Sequence, residues 1–176
     1  ARVGLDVVAY CLMPNHVHLI VVPHSRTALA RGIGEVHRRY SRGVNFREGW
    51  RGFLWQGRFS SFPMDEQYLL VAARYILLNP VRARLVARAE EWPHSSARAH
   101  LAGKDEGPVR VATLAALVRD WPEFLQGSVS EGERKTLRLH ETTGRPLGTT
   151  RFVERLEKRL GRVLRPQKRG PKPASE

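Results

Sequence analysis

Four side chains in this sequence have types and spacings suited to chemistry: His16 and His18, one residue apart, and Tyr75, followed four residues later by Asn79. Alternate side chains of a strand share a face, so His16 and His18 point one way and Val17 the other, toward a core. Two neutral imidazoles converging from one face can hold a divalent cation. The competing reading is a pair of surface histidines beside a turn, and the apolar run after His18 argues against it. On a helix, residues i and i+4 are neighbours, so Asn79 can offer a neutral oxygen ligand beside Tyr75. A phenol can attack phosphorus and form a covalent phosphotyrosine when a metal polarises the phosphate. A tyrosine buried in an amphipathic core is the plainer reading of Tyr75 taken alone. A third cluster, Trp55-Gln56-Gly57-Arg58-Phe59, places aromatics beside Gln and Arg, a combination that stacks bases and binds phosphate in single strands. The same residues suit a strand with its aromatics in the core; a split, with Phe59 inside and Arg58 toward a nucleic acid, satisfies both.

These groups need positioning elements. Val7 to Leu12 and His16 to Val22 are apolar and β-branched, and Met13-Pro14-Asn15 carries turn chemistry, so a β-hairpin is expected. Leu29, Ile33, Val36, Tyr40 and Val44 recur at helical spacing and predict a helix over 27–47, with Arg31, Arg38, Arg39, Arg42 and Arg47 on the remaining surface. Residues 53–62 read as another strand. Asp65 is a natural N-cap for a helix carrying Tyr68, Leu69, Ala72, Tyr75 and Ile76, and Pro80 ends it near Asn79. Ser95 or Ser96 caps a short helix to Leu101. Further helices are expected over 112–126 and 130–141, and from Thr149 or Thr150 to Gly161. Gly103 to Pro108 reads as a boundary, dividing the chain into 1–102, a helical extension 103–161 and a basic, disordered tail 162–176.

Composition narrows the partner. The net charge is +13, and 25 of the 30 cations are Arg. Residues 1–102 carry net +7, 103–148 net zero and 149–176 net +6. Basic ends around a neutral middle suit a polyanion, and Arg forks match phosphate oxygens. A GC-rich genome and a solvated surface would give the same excess, so charge alone does not decide. The longest apolar run, Val7 to Met13, is too short to span a bilayer, which points away from a membrane partner. A lone Cys11 cannot form an internal disulfide, which fits a reducing, cytoplasmic setting.

Four blocks then carry a resemblance. Tyr10-Cys11-Leu12-Met13-Pro14-Asn15-His16-Val17-His18-Leu19 resembles the HUH segment of single-tyrosine transposases. Leu54-Trp55-Gln56-Gly57-Arg58-Phe59 is similar to the second block of their REP-associated branch, and Tyr75 through Val86 to the nucleophile segment. Trp92-Pro93-His94-Ser95-Ser96 is similar to the block closing the domain. In order over about residues 5–100, the four are specific together.

The resemblance implies an α+β, ferredoxin-like HUH endonuclease domain with an antiparallel sheet and helices on one face. It implies a transposase that cleaves and rejoins single-stranded or hairpin DNA through a 5′-phosphotyrosine on Tyr75, using Mg²⁺ or Mn²⁺ held by His16, His18 and Asn79, with no nucleotide cofactor. Arg38, Arg39, Trp55, Gln56, Arg58 and Arg82 are the expected DNA contacts. A homodimer is left open, as is the tyrosine's action in cis or in trans. Relatives begin with another strand and helix, the strand central and next to the HUH strand. The chain opens at Ala1, almost at the hairpin, so a fragment or a degenerate copy is expected. Lys168-Arg169-Gly170-Pro171-Lys172 is faintly like an Arg-Gly-Arg-Pro minor-groove hook, though general phosphate binding by the tail is the stronger expectation. The alternative function is a non-catalytic, degenerate or domesticated binder of structured DNA; a water-using phosphodiesterase is a remote third.

Overall fold

The computed structural model describes residues 4–167. Strands β1 (Leu5–Leu12) and β2 (Val17–Pro23) form the expected antiparallel hairpin. Their Val, Ile and Tyr residues suit a pleated, half-buried surface, and the turn closes with the Met13 amide donating to the His16 carbonyl at 2.9 Å. A register shift between Val7 and Ala9 brings Cys11 opposite His18. Val8, Ala9, Cys11 and Ile20 are the buried residues of the ribbon.

The second edge of β1 is covered by irregular chain. The Leu12 amide donates to the His94 carbonyl at 2.8 Å, the Ser96 amide to the Tyr10 carbonyl at 3.0 Å, and the Arg110 amide to the Val7 carbonyl at 2.8 Å. Ser96 Oγ accepts from the Tyr10 amide at 3.0 Å, so its hydroxyl anchors a strand rather than capping the helix it precedes. Buried backbone groups need partners, and the segments around 92–96 and 109–110 supply them for β1. Among the described residues β2 pairs with β1 alone.

Helix α1 (Ala28–Glu48) matches its periodicity and ends at Gly49, in the left-handed region at φ 67°. Its burial is slight: Ala28, Gly32 and Ile33 are buried, whereas Val36 and Tyr40 are 61% and 57% exposed. Helix α2 (Glu66–Leu77) starts as expected, with Asp65 Oδ1 accepting from the Tyr68 amide at 3.2 Å. After Leu78 the chain resumes as α3 (Asn79–Arg82), with Pro80 near its start, where a missing N–H costs nothing.

Two expectations are corrected. Residues 53–62 are not a strand. They are broken by Gly52, at φ 99°, and Gly57, and no bridge joins them to β2 among the described residues. Instead residues 59–62 and β2 both line an apolar cavity of about 810 Å³. The single helix expected over 112–126 is two, α5 (Ala112–Ala115) and α6 (Trp121–Gln126). Asp120 caps α6 by accepting from the Glu123 amide at 2.8 Å, and Pro122 sits in the first turn, so the signal for the break was in the sequence.

Helices α4 (Ala97–Ala102), α7 (Glu131–Thr143) and α8 (Thr150–Leu160) complete the α+β fold. Leu114, Val118, Trp121, Phe124, Leu137 and Leu147 join Ala72, Ala73, Ile76 and Leu77 of α2 in one core. His100 is stacked on Trp121 (ring centroids 4.5 Å apart) and donates to the Val8 carbonyl at 3.1 Å; burial holds its imidazole below the ordinary range. No helix among the described residues is long and apolar enough to cross a membrane. Residues 162–165 fold back on α8 through Arg165 and Glu157, while Lys168 to Lys172, the proposed hook, lies outside the described residues.

One carboxylate joins two helices. Asp65 Oδ2 accepts from the Thr149 amide at 2.7 Å while its Oδ1 caps α2. Gly148 makes this approach possible: a Cβ there would lie 2.5 Å from Phe152 Cδ1 and 2.7 Å from Asp65 Oδ2. Gly148→Ala is expected to lower stability by about 1–3 kcal/mol, the usual cost of overpacking, as read by urea unfolding. An unchanged midpoint would show that the junction adjusts freely.

Candidate active site

The hairpin delivers two imidazoles. His16 closes the turn and is exposed, while His18 stands on β2 and is half-buried. Their ring centroids are 4.8 Å apart, edge to face. His16 Nδ1 lies 2.6 Å from Asn15 Oδ1, a carbonyl-type acceptor, so the proton belongs on Nδ1 and the lone pair on Nε2. That Nε2 faces Asn79 Nδ2 at 3.4 Å. His18 is pushed down to about 4, first by burial and then by the neighbouring His16 and Arg82, so it is neutral at pH 7.

Helix α2 delivers the phenol. Ala72 and Ala73 are almost fully buried, and such small side chains let the helix sit close to β1 and β2. Tyr75, 8% exposed, meets the His18 ring edge to face with centroids 5.7 Å apart. Both rings line the 810 Å³ cavity, so space adjoins them. Asn79, buried at the start of α3, completes the group. Opposite His18, burial pushes the Cys11 thiol up to about 12, which leaves it inert as a nucleophile.

Arg82, three residues beyond Asn79, occupies the centre. Its guanidinium lies 4.3 Å from the centroid of the Tyr75 ring and donates to Asn79 Oδ1. Sequence reasoning placed it among general DNA contacts; its position on α3, one turn after Asn79, sets it beside the phenol. The structure thus gathers His16, His18, Tyr75, Asn79 and Arg82 in one place.

The remaining expected DNA contacts lie elsewhere. Arg38 and Arg39 are exposed on α1, and both donate to Glu35, at 2.8–2.9 Å and 2.6 Å. Trp55 is half-buried, stacked on His37 with centroids 4.0 Å apart, and its Nε1 donates to the His37 carbonyl at 3.4 Å. Gln56 and Arg58 are exposed, and Phe59 is half-buried. Among the described residues Tyr40 (57%), Phe46 (91%), Trp50 (59%) and Phe53 (102%) are exposed aromatics, and of these the sequence reading gave no place to Phe46 and Trp50. Their signal was the glycine pair 49 and 52, which ends α1 and leaves its neighbours without a core to enter.

Comparison with known proteins bears on this arrangement. Residues 1–79 match the family model described as "Transposase IS200 like". Over that stretch, somewhat under half of its length, the chain is similar to the IS200-like transposases. The match takes in both histidines, Tyr75 and Asn79, and stops before Arg82. A Haemophilus influenzae protein named "Putative REP-associated tyrosine transposase" is 27% identical over 105 residues, 52% of this chain and 58% of that protein's length. The chain therefore spans little more than half of that relative. No solved structure matches.

Arg82 helps hold His18 neutral, so removing its charge is expected to raise the His18 pKa. Imidazole resonances followed by NMR against pH should show His18 of Arg82→Met titrating at higher pH than in the unaltered protein. An unshifted curve would place the guanidinium away from the ring.

Proposed function

We propose that the chain is a transposase of the IS200-like kind, which cuts and rejoins single-stranded or hairpin DNA through Tyr75. The observation that carries the reading is the meeting of the Tyr75 ring, the His16–His18 pair and the Arg82 guanidinium, with a cavity adjoining Tyr75 and His18. The antiparallel ribbon, with α1 and α2 packed on it, supports a ferredoxin-like HUH endonuclease domain over residues 1–102, with 103–161 as an extension.

The donor set fits a divalent cation. His18 is kept neutral by burial, His16 turns a lone pair inward, and the Asn79 amide adjoins it. These three residues would hold Mg²⁺ or Mn²⁺, whose chemistry there is to polarise the scissile phosphate and offset its developing charge. Arg82 is placed to hold a phosphate oxygen next to the phenol. Tyr75 Oη forms a bond to phosphorus while the bond from phosphorus to the 3′ oxygen breaks. The phenolic proton is balanced by the proton gained at the released 3′-hydroxyl, and the 5′ phosphate stays on the tyrosine. Attack by a 3′-hydroxyl reverses the step. One phosphodiester-type bond replaces another each time, so no nucleotide cofactor is required.

One observation favours the second reading, a binder of structured DNA without cutting: Asn79 Oδ1 is already engaged by Arg82, and must turn to become a ligand. The test is a labelled hairpin-bearing single strand incubated with the full protein and Mn²⁺. The expected result is a covalent adduct, absent in Tyr75→Phe. In His16→Ala and His18→Ala it should form more slowly by about two orders of magnitude, equivalent to roughly 3 kcal/mol of lost stabilisation. Hairpin binding with no adduct, indifferent to chelator and to His16→Ala, would establish the binder instead.

A further inference from the structure

Helix α8 carries its cations on one side. Arg151, Arg155, Lys158 and Arg159 follow the spacing i, i+4, i+7, i+8, which lines one face of a helix, and all four are exposed. No ion pair holds any of them among the described residues. The helix's own acids are occupied: Glu157 binds Arg165 at 2.8 Å and accepts from the Leu164 amide at 2.8 Å, and Glu154 lies 3.5 Å from Arg165. Arg165 thus neutralises the acidic side and leaves the basic stripe bare. By contrast, Arg38 and Arg39 on α1 share Glu35.

The opposite face of α8 is already used. Phe152, Val153 and Leu156 are half-buried, and Phe152 packs at the Gly148–Asp65 junction. A membrane surface needs that apolar face free, and a single strand needs exposed aromatics among the cations; the aromatic beside the stripe, Phe152, is half-buried, with the Arg155 guanidinium 6.0 Å from its ring centroid. A narrow row of Arg and Lys on a helix, with no exposed aromatic among them, matches the phosphates bordering the major groove of duplex DNA, which is wide enough to admit a helix. We propose that α8 is a docking element for duplex DNA, separate from the Tyr75 site.

The position of α8 gives this surface a use. The Asp65 junction fixes the N-terminus of α8 to the N-terminus of α2, ten residues before Tyr75 and so about 15 Å from it along the helix. If the cleavage reading holds, a paired stem on α8 sets the reach from stem to cut; docking itself does not depend on that reading.

The test measures binding by full-length protein, without divalent cation and in the Tyr75→Phe background, so that cleavage plays no part. The probes are a labelled DNA duplex of about two helical turns, a single strand of equal length, and phosphatidylserine vesicles. Replacing Arg151, Arg155, Lys158 and Arg159 together with Gln is expected to weaken duplex binding at least about tenfold at roughly 0.1 M salt. It should also reduce the slope of log affinity against log salt by about 3 to 4. Single-strand binding should change less than about twofold, and exchanging the three Arg for Lys should preserve most duplex affinity, since the charge is retained. Circular dichroism and thermal unfolding confirm that both variants are folded. Unchanged duplex affinity and slope would overturn the proposal. So would equal losses on both DNA probes, or loss of vesicle binding with duplex binding intact.

Discussion

The site depends on how closely α2 can lie against the β1–β2 ribbon. Ala72, Ala73, Ile76 and Leu77 are buried along α2, and Ala72 and Ile76 line the cavity together with His18 and Tyr75. The ribbon is held in turn by β1, whose far edge is saturated by backbone from 94–96 and 109–110. Chain distant in sequence therefore fixes the plane from which the imidazoles project, and the helix packed on that plane fixes the phenol.

Electrostatics in the site follow from this packing. A buried imidazole beside a guanidinium cannot hold a proton at neutral pH, so His18 keeps its lone pair free. The same guanidinium covers the Tyr75 ring and binds Asn79. Three groups separated along the chain, the His18 imidazole, the Tyr75 ring and the Asn79 amide, are thus linked through Arg82.

Much of this was legible in the sequence, and the failures have physical causes. The hairpin showed in two apolar runs around Met-Pro-Asn, and helix ends showed in Asp65, Thr149 and Gly161, because caps and turns are set by local chemistry. Residues 53–62 failed because a strand needs a partner edge, which composition does not reveal; here residues 59–62 line a cavity instead. The pairing of Trp55 with His37 and the centrality of Arg82 are tertiary facts with no periodic signature. The break at Asp120-Trp121-Pro122 was readable but was overridden by the apolar pattern on either side. Of the candidate site, the sequence supplied the side chains and their elements; the distances came from the packing of α2.

The shared carboxylate of Asp65 has a thermodynamic consequence. One oxygen terminates α2 and the other holds the amide at the start of α8. Fraying at either helix start withdraws a hydrogen bond that keeps the other in place, so the two ends behave as a single opening unit rather than two loose termini. Amide exchange at Tyr68 and Thr149 would then share one protection free energy, and a ligand that quietens one end would slow exchange at the other.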